Sequence, residues 1–174
     1  MFKTKEALIP YLLLVAAMAG GLIWHESENV PGLGRTVTSG QIAVGGPFAL
    51  TDQNGDRRGS KDFHGKYQLI YFGYTFCPDV CPTTLMDIAG ALDALGPRAA
   101  AVQGLFITTD PRRDTPNVLT EYLKSFDQRL IGLTGTPAQI AQAAKSFHVF
   151  YELQDADDGN YSYDHSAFIY VVDP

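Results

Sequence analysis

Two cysteines are all that the 174 residues contain. That scarcity excludes an iron–sulfur cluster or a four-cysteine zinc site held by this chain alone. It also excludes a disulfide framework, and none is needed. Hydrophobic residues make up 45% of the chain, and a domain of about 150 residues buries roughly 70% of its unfolded surface without staples. Positive charge is scarce as well. The net charge is −6, and Lys3, Lys5 and Glu6 leave the first 24 residues at +1, so the remainder carries −7. An acidic domain without a basic stripe excludes nucleic acid as the expected partner. Internal repeats and low-complexity tracts are absent.

Formal charge is missing altogether from Ala7 to Trp24. Eighteen such residues just span a bilayer, with Lys3 and Lys5 on the inner side and Trp24 at the far interface. We read residues 1–24 as a retained transmembrane anchor. The alternative is a signal peptide cut near Ala17-Met18-Ala19. Both readings export the rest of the chain, so the cysteines face an oxidising compartment. Residues 25–36, with Glu26, Ser27, Glu28, Asn29, Pro31, Gly32 and Gly34, read as a flexible stalk. Residues 37–174 form the domain.

Within that domain, strands alternate with helices. Val37 to Thr51 reads as short strands, and Asn54-Gly55 as a hairpin turn. Ser60 is placed to cap a short helical turn ending at Gly65. Gln68 to Gly73 is a near-continuous apolar run, as expected of a central strand covered on both faces. Leu85, Ile88, Leu92 and Leu95 recur at helical spacing, and Ala101 to Thr109 reads as the next strand. Thr115-Pro116 and Thr136-Pro137 each place an N-cap before a proline at the first helical position. Leu130 to Leu133 reads as a short strand. Val149 to Leu153 and Ala167 to Val172 are expected to close the sheet as a hairpin. Met86, Phe72 and Phe76 are expected in the core. The pattern predicts an α/β sandwich, a central sheet flanked by helices with an N-terminal β-hairpin. The sequence stops at Asp173-Pro174, directly after an apolar strand, and a C-terminal helix is expected to be missing from it.

Chemistry concentrates in Cys77-Pro-Asp-Val-Cys81-Pro, between a strand ending at Gly73 and a helix beginning near Pro82. Ligands on open α/β sheets gather at the carboxyl ends of strands. Residues four apart on a helix face the same way, close enough to chelate one ion or, with slight distortion, to form a disulfide. Asp79 is the only charged residue between the cysteines, and an anion there opposes free thiolates but favours a bound cation. The spacing of three intervening residues also departs from the two of the common redox motif. Paired soft thiolates select Cu(I), zinc or a cluster, and a third ligand is needed. His165 is the candidate. His25 lies in the stalk, His64 among charged residues, and His148 at the start of a strand. The competing readings are a structural disulfide for Cys77 and Cys81 and a solvated side chain for His165. Asp110 and Asp114 precede a helix, so capping and a role beside the site both fit.

At these residues the sequence resembles the Sco/SenC family of copper chaperones. Cys77-Pro78 and Cys81-Pro82, Asp164-His165-Ser166, Asp110-Pro-Arg-Arg-Asp-Thr-Pro116, Gly45 to Leu50 and Asp62 to Lys66 all match the family's pattern. The resemblance covers roughly Gly45 to Asp173. Tyr163 departs from it, since the family more often has an aliphatic residue there. The resemblance implies a thioredoxin-like fold and a copper site, for Cu(I) or Cu(II), made by Cys77, Cys81 and His165. It implies a metallochaperone role in building the dinuclear copper centre of cytochrome c oxidase. Expected partners are the copper-bearing oxidase subunit, a copper-donor protein and, through the anchor, the membrane. The expected location is a single-pass inner-membrane protein with its domain on the periplasmic or intermembrane-space side. Asp79, Asp110, Asp114 and Asp164 are candidates for supporting or docking roles. Two alternatives remain. One is a thiol–disulfide oxidoreductase working through a Cys77–Cys81 disulfide. The other is a peroxiredoxin-like peroxidase, disfavoured because no arginine lies between Lys66 and Arg98.

Overall fold

Asn54-Gly55 does turn the chain, with Gly55 in the left-handed region at φ 88°. It joins β1 (Ala49–Asp52) to β2 (Arg57–Gly59) as an antiparallel hairpin. The computed structural model describes residues 44–155 and 161–174. The expected anchor, the stalk and the first strands before Val44 lie outside the described residues. Among the described residues no helix is long and apolar enough to cross a membrane.

The apolar run becomes β3 (Tyr67–Gly73), followed by α1 (Val80–Leu95), β4 (Val102–Thr108), α2 (Pro116–Leu123), β5 (Leu130–Thr134) and α3 (Pro137–Ser146). Strands β3, β4 and β5 are parallel neighbours. The six-stranded sheet has the order β2-β1-β5-β4-β3-β8, where β8 is Ile169–Val172 and pairs antiparallel with β3. Alternation along β3 divides the core. Ile70 and Phe72 pack with Leu105, Ile107, Ile140 and Phe147 on the α3 face. Tyr71 packs with Leu85, Ile88, Leu92, Phe106 and Leu119 on the face covered by α1 and α2. A strand buried on both sides needs the continuous apolar run that was read there.

Both threonine–proline caps form. Thr115 Oγ1 accepts from the Val118 N–H at 3.4 Å. Thr136 Oγ1 accepts from the Gln139 N–H at 3.3 Å, while Gln139 returns a bond to the Thr136 N–H at 2.8 Å. The short helical turn spans Ser60–Phe63, but Gly59 occupies the cap position instead of Ser60, and the Asp62 carboxylate accepts from its N–H.

The end of the chain departs from expectation. Tyr151–Asp155 (β6) pairs with Tyr161–His165 (β7) in a separate two-stranded sheet, and β8 joins the main sheet instead. Tyr161–His165, which lies between the two strands expected as the closing hairpin, is itself a strand. Tyr161, Tyr163 and His165 are half-buried while Ser162 and Asp164 are exposed, the alternation of a half-covered strand. His148 does not begin a strand. It sits at φ 54° just past α3, with its N–H on the Lys145 carbonyl. Phe72 is fully buried as expected, but Phe76 and Met86 are 61% and 58% exposed. Phe76 is in the loop after β3, and Met86 lies off the 85/88/92 stripe that α1 turns to the sheet.

Thr136→Ala removes one half of a reciprocal cap. The expected loss is about 1 kcal/mol of stability, read as a lower urea midpoint; an unchanged midpoint would show that Pro137 alone sets this helix start.

Candidate metal centre

The cysteines sit where a central strand hands over to a helix. After Gly73, a turn in which the Cys77 N–H donates to the Tyr74 carbonyl (3.3 Å) brings the first sulfur round. Cys77 therefore precedes α1 and Cys81 lies in its first turn, so the pair spans a turn and a helix start instead of one helix face. The Cys81 N–H donates to Cys77 Sγ at 3.4 Å. This is the first-turn N–H that a helix leaves free. Cys81 is fully buried, and Tyr71, one strand face below, donates its hydroxyl to Cys81 Sγ at 3.5 Å. Room for that sulfur exists because residue 73 has no side chain. A Cβ there would stand 2.7 Å from Cys81 Sγ and 3.0 Å from the Phe106 ring.

His165 arrives on β7. Its Nε2 lies 3.4 Å from Cys81 Sγ, and its Nδ1 lies 3.1 Å from the Ser166 carbonyl. A carbonyl only accepts, so the second contact places the proton on Nδ1 and turns the Nε2 lone pair toward the thiol. The Tyr71 and Tyr74 rings meet the imidazole edge-on at 6.2 and 5.8 Å. The donor atoms of Cys77, Cys81 and His165 all lie within 4.8 Å of one another. Cys77 and His165 open into a cavity of about 470 Å³ with Val80, Phe150, Tyr163, Asp164, Ser166 and Phe168. Both sulfurs are buried, Cys81 completely and Cys77 beside the mouth, with the imidazole across from them.

The four aspartates divide into two pairs. Asp79 is exposed at the start of α1 and its side chain caps nothing there. Asp164 is exposed beside the cavity and accepts from Gln154 on β6 at 3.0 Å. Asp114 and Asp110 are buried and do not cap α2. Asp114 accepts from the Thr75 N–H (3.0 Å) and hydroxyl (2.6 Å) and from the Thr108 hydroxyl (2.5 Å), tying the cysteine loop to the end of β4. Burial still raises its pKa against those three bonds. Asp110 pairs with Arg113 and accepts from the Tyr161 hydroxyl at 3.1 Å. Sequence reading missed Tyr71, Gly73 and Arg113. The first two lie two residues apart on the face of β3 that meets α1, so strand alternation was the available signal.

A buried dithiol and an imidazole converging on the carboxyl end of a parallel sheet define a thiol-rich binding centre on an α/β fold. The comparisons supply the lineage: the chain matches SCO1/SenC over residues 36–174, and it belongs to that family. It is 41% identical over 173 residues to the SCO2-like protein of Rickettsia prowazekii, covering 98% of this chain and 84% of that one. It is 35% identical over 175 residues to the mitochondrial SCO1 homolog 1 of Arabidopsis thaliana, covering 94% of this chain and 52% of that relative. Bradyrhizobium japonicum ScoI, solved with copper bound, superposes with a TM-score of 0.73 at 50% identity, over 75% of this chain and 83% of that one. The α/β fold with its central sheet is that of these proteins.

Two consequences can be measured on the metal-free chain. Cys81 is fully buried, and burial pushes its thiol up to about 12. At pH 8 iodoacetamide should therefore modify Cys77 before Cys81, as read by peptide mass; the reverse order would contradict this geometry. Asp114→Ala should cost about 2–4 kcal/mol, because it strands the buried donors of Thr75 and Thr108. Chemical denaturation measures this, and a loss below about 0.5 kcal/mol would mean water replaces the carboxylate without penalty.

Proposed function

We propose that this protein is a copper-binding metallochaperone that helps build the dinuclear copper centre of cytochrome c oxidase, with copper as its cargo. The observation that carries the reading is the convergence of two sulfurs and one imidazole nitrogen within 4.8 Å at one cavity. Two soft thiolates with an imidazole suit copper in either oxidation state. Two thiolates and a neutral imidazole give a net charge of −1 with Cu(I) and 0 with Cu(II). The burial that keeps Cys81 protonated makes a cation the natural partner for its ionised form, since metal binding displaces the thiol proton. Ser166 holds the imidazole by Nδ1 and leaves Nε2 available. Copper bound in the similar ScoI structure supports the same assignment.

The cargo reading extends to the setting. We place residues 1–24 as a single-pass inner-membrane anchor and the domain on the periplasmic or intermembrane-space side. A copper-donor protein and the copper-bearing oxidase subunit are its partners there. Asp79 and Asp164, exposed near the opening, are available to a docking partner. Asp110 and Asp114 support the site from within.

One observation favours a second reading. The dithiol is asymmetric, with Cys77 at the mouth and Cys81 buried behind it. That arrangement suits thiol–disulfide exchange with a partner's cysteines, in which one sulfur meets the partner and the other resolves the mixed disulfide. Both uses require the reduced pair, so a Cys77–Cys81 disulfide should abolish copper binding.

His165 separates the readings, because exchange needs only thiols. Cys77→Ala or Cys81→Ala should abolish the binding of one copper per chain. His165→Ala should remove the thiolate-to-copper absorption of the Cu(II) form and leave Cys77–Cys81 disulfide formation intact. In cells at limiting copper, His165→Ala should lose oxidase assembly. Normal oxidase levels in that variant would favour the reductase, and unchanged copper stoichiometry in either cysteine variant would defeat the site.

A further inference from the structure

The structure assigns Arg113 as the positioning residue that holds the histidine hairpin against the cysteine loop. It rests on the reading of Cys77, Cys81 and His165 as one metal site. Among the described residues, strands β6 and β7 pair only with each other, and the nearest ladder to β3 begins four residues past His165, at Ile169 opposite Tyr71. The far end of β7, at Tyr161, is joined to the cysteine loop by side chains.

Arg113 lies between the two pieces in chemistry as well as in space. Its Nε pairs with buried Asp110, and its Nη1 donates to the Tyr161 carbonyl at 2.9 Å, at the start of the strand that ends in His165. The guanidinium carbon stands 3.8 Å from the Tyr161 ring centre and 4.7 Å from that of Phe76. Phe76 is the residue immediately before Cys77. The Tyr74 ring, 5.8 Å away, is the same ring that meets His165 edge-on. Asp110 closes the loop by accepting from the Tyr161 hydroxyl. One planar cation therefore touches both flanks of the site.

The chemistry demands arginine. The job needs an in-plane fork for a carboxylate and a carbonyl, and a flat face for aromatic rings. Lysine offers a point charge and no plane. The pairing also gives exposed Phe76 a partner: it lies against the cation and not in the core.

The experiment uses the full chain with Arg113→Ala, Arg113→Lys, His165→Ala and the Arg113→Ala/His165→Ala pair. Arg113→Ala should weaken Cu(II) binding on the order of tenfold, as loss of a supporting partner does, and dim the thiolate-to-copper band. Cu(I) stoichiometry and the rate of Cys77–Cys81 disulfide formation should hold. Arg113→Lys should recover only part of the band. Adding Arg113→Ala to His165→Ala should change Cu(II) binding no further, because the brace acts through the imidazole. A folded Arg113→Ala protein with a wild-type band, or additive losses in the pair, would overturn the assignment. Hydrogen exchange at the Tyr163 and His165 amides tests the brace without any metal. Exchange should accelerate in Arg113→Lys, which also serves if the alanine variant does not fold, and unchanged protection there would overturn it. If His165→Ala kept its band, the ligand reading would fall while the exchange result still decided the brace.

Discussion

Cys81, in the first turn of α1 behind β3, and His165, at the end of β7, stand 84 residues apart in sequence and meet across two separate elements. Everything the site does depends on keeping a short hairpin pressed against a turn on the central strand. The cysteine side is fixed by the core: β3 is buried on both faces, and Cys81 packs with Tyr71, Leu85 and Phe106 in one cluster. The histidine hairpin is closed on itself by the Ser166 N–H to Phe150 carbonyl bond at 2.9 Å, and it is joined to the core by side chains and by β8, whose ladder with β3 begins at Ile169. Elements with few buried apolar contacts open at lower free energy than core strands. The geometry thus pairs two donors set in the core with one on a separate two-stranded hairpin.

Electrostatics sharpen the division. Carboxylates come close to the site, yet the buried ones are occupied. Asp114 is saturated by two threonines and Asp110 by Arg113 and Tyr161. Hard oxygen donors would suit a different ion, and here they hold loops in place instead. The buried Cys81 sulfur, by contrast, lacks a compensating charge. Burial keeps it a neutral thiol, and the bond from Tyr71 does not overcome that. Either use must first remove that proton to solvent: a bound cation displaces it, and exchange with a partner's disulfide requires the thiolate. Copper binding and thiol exchange therefore draw on the same two sulfurs, which is why the same residues support both readings.

Local pattern carried much of the fold. The apolar run of β3, the 85/88/92 stripe and the two threonine–proline caps each encode their element within a few residues, and each forms. What failed was long-range. Nothing near Tyr161–His165 states that its partner is Tyr151–Asp155, while Ile169–Val172 reads equally well as a strand for either sheet. Phe76 looked like core because an aromatic beside a strand usually is, and its partner proved to be a cation 37 residues on. The cysteine pair was legible from spacing and chemistry. His165 was selected by elimination and by resemblance, and Gly73 was invisible because its contribution is the absence of atoms beside Cys81 Sγ.

Tyr163, where the resemblance leads to the expectation of an aliphatic residue, fits this arrangement. Its ring meets Tyr74 and Tyr161 edge-on at 5.8 and 5.9 Å, and Tyr151 at 6.2 Å. An aliphatic side chain would fill part of the volume but forgo the edge-on contacts, worth about 0.5–1.5 kcal/mol each beyond burial. Tyr74 is the shared member: it touches Tyr163 and His165 on the hairpin and lies within reach of the Arg113 guanidinium. The substitution therefore extends the aromatic joint between hairpin and cysteine loop in the direction of the imidazole. Tyr163 reinforces the contact between hairpin and cysteine loop on which the site geometry rests.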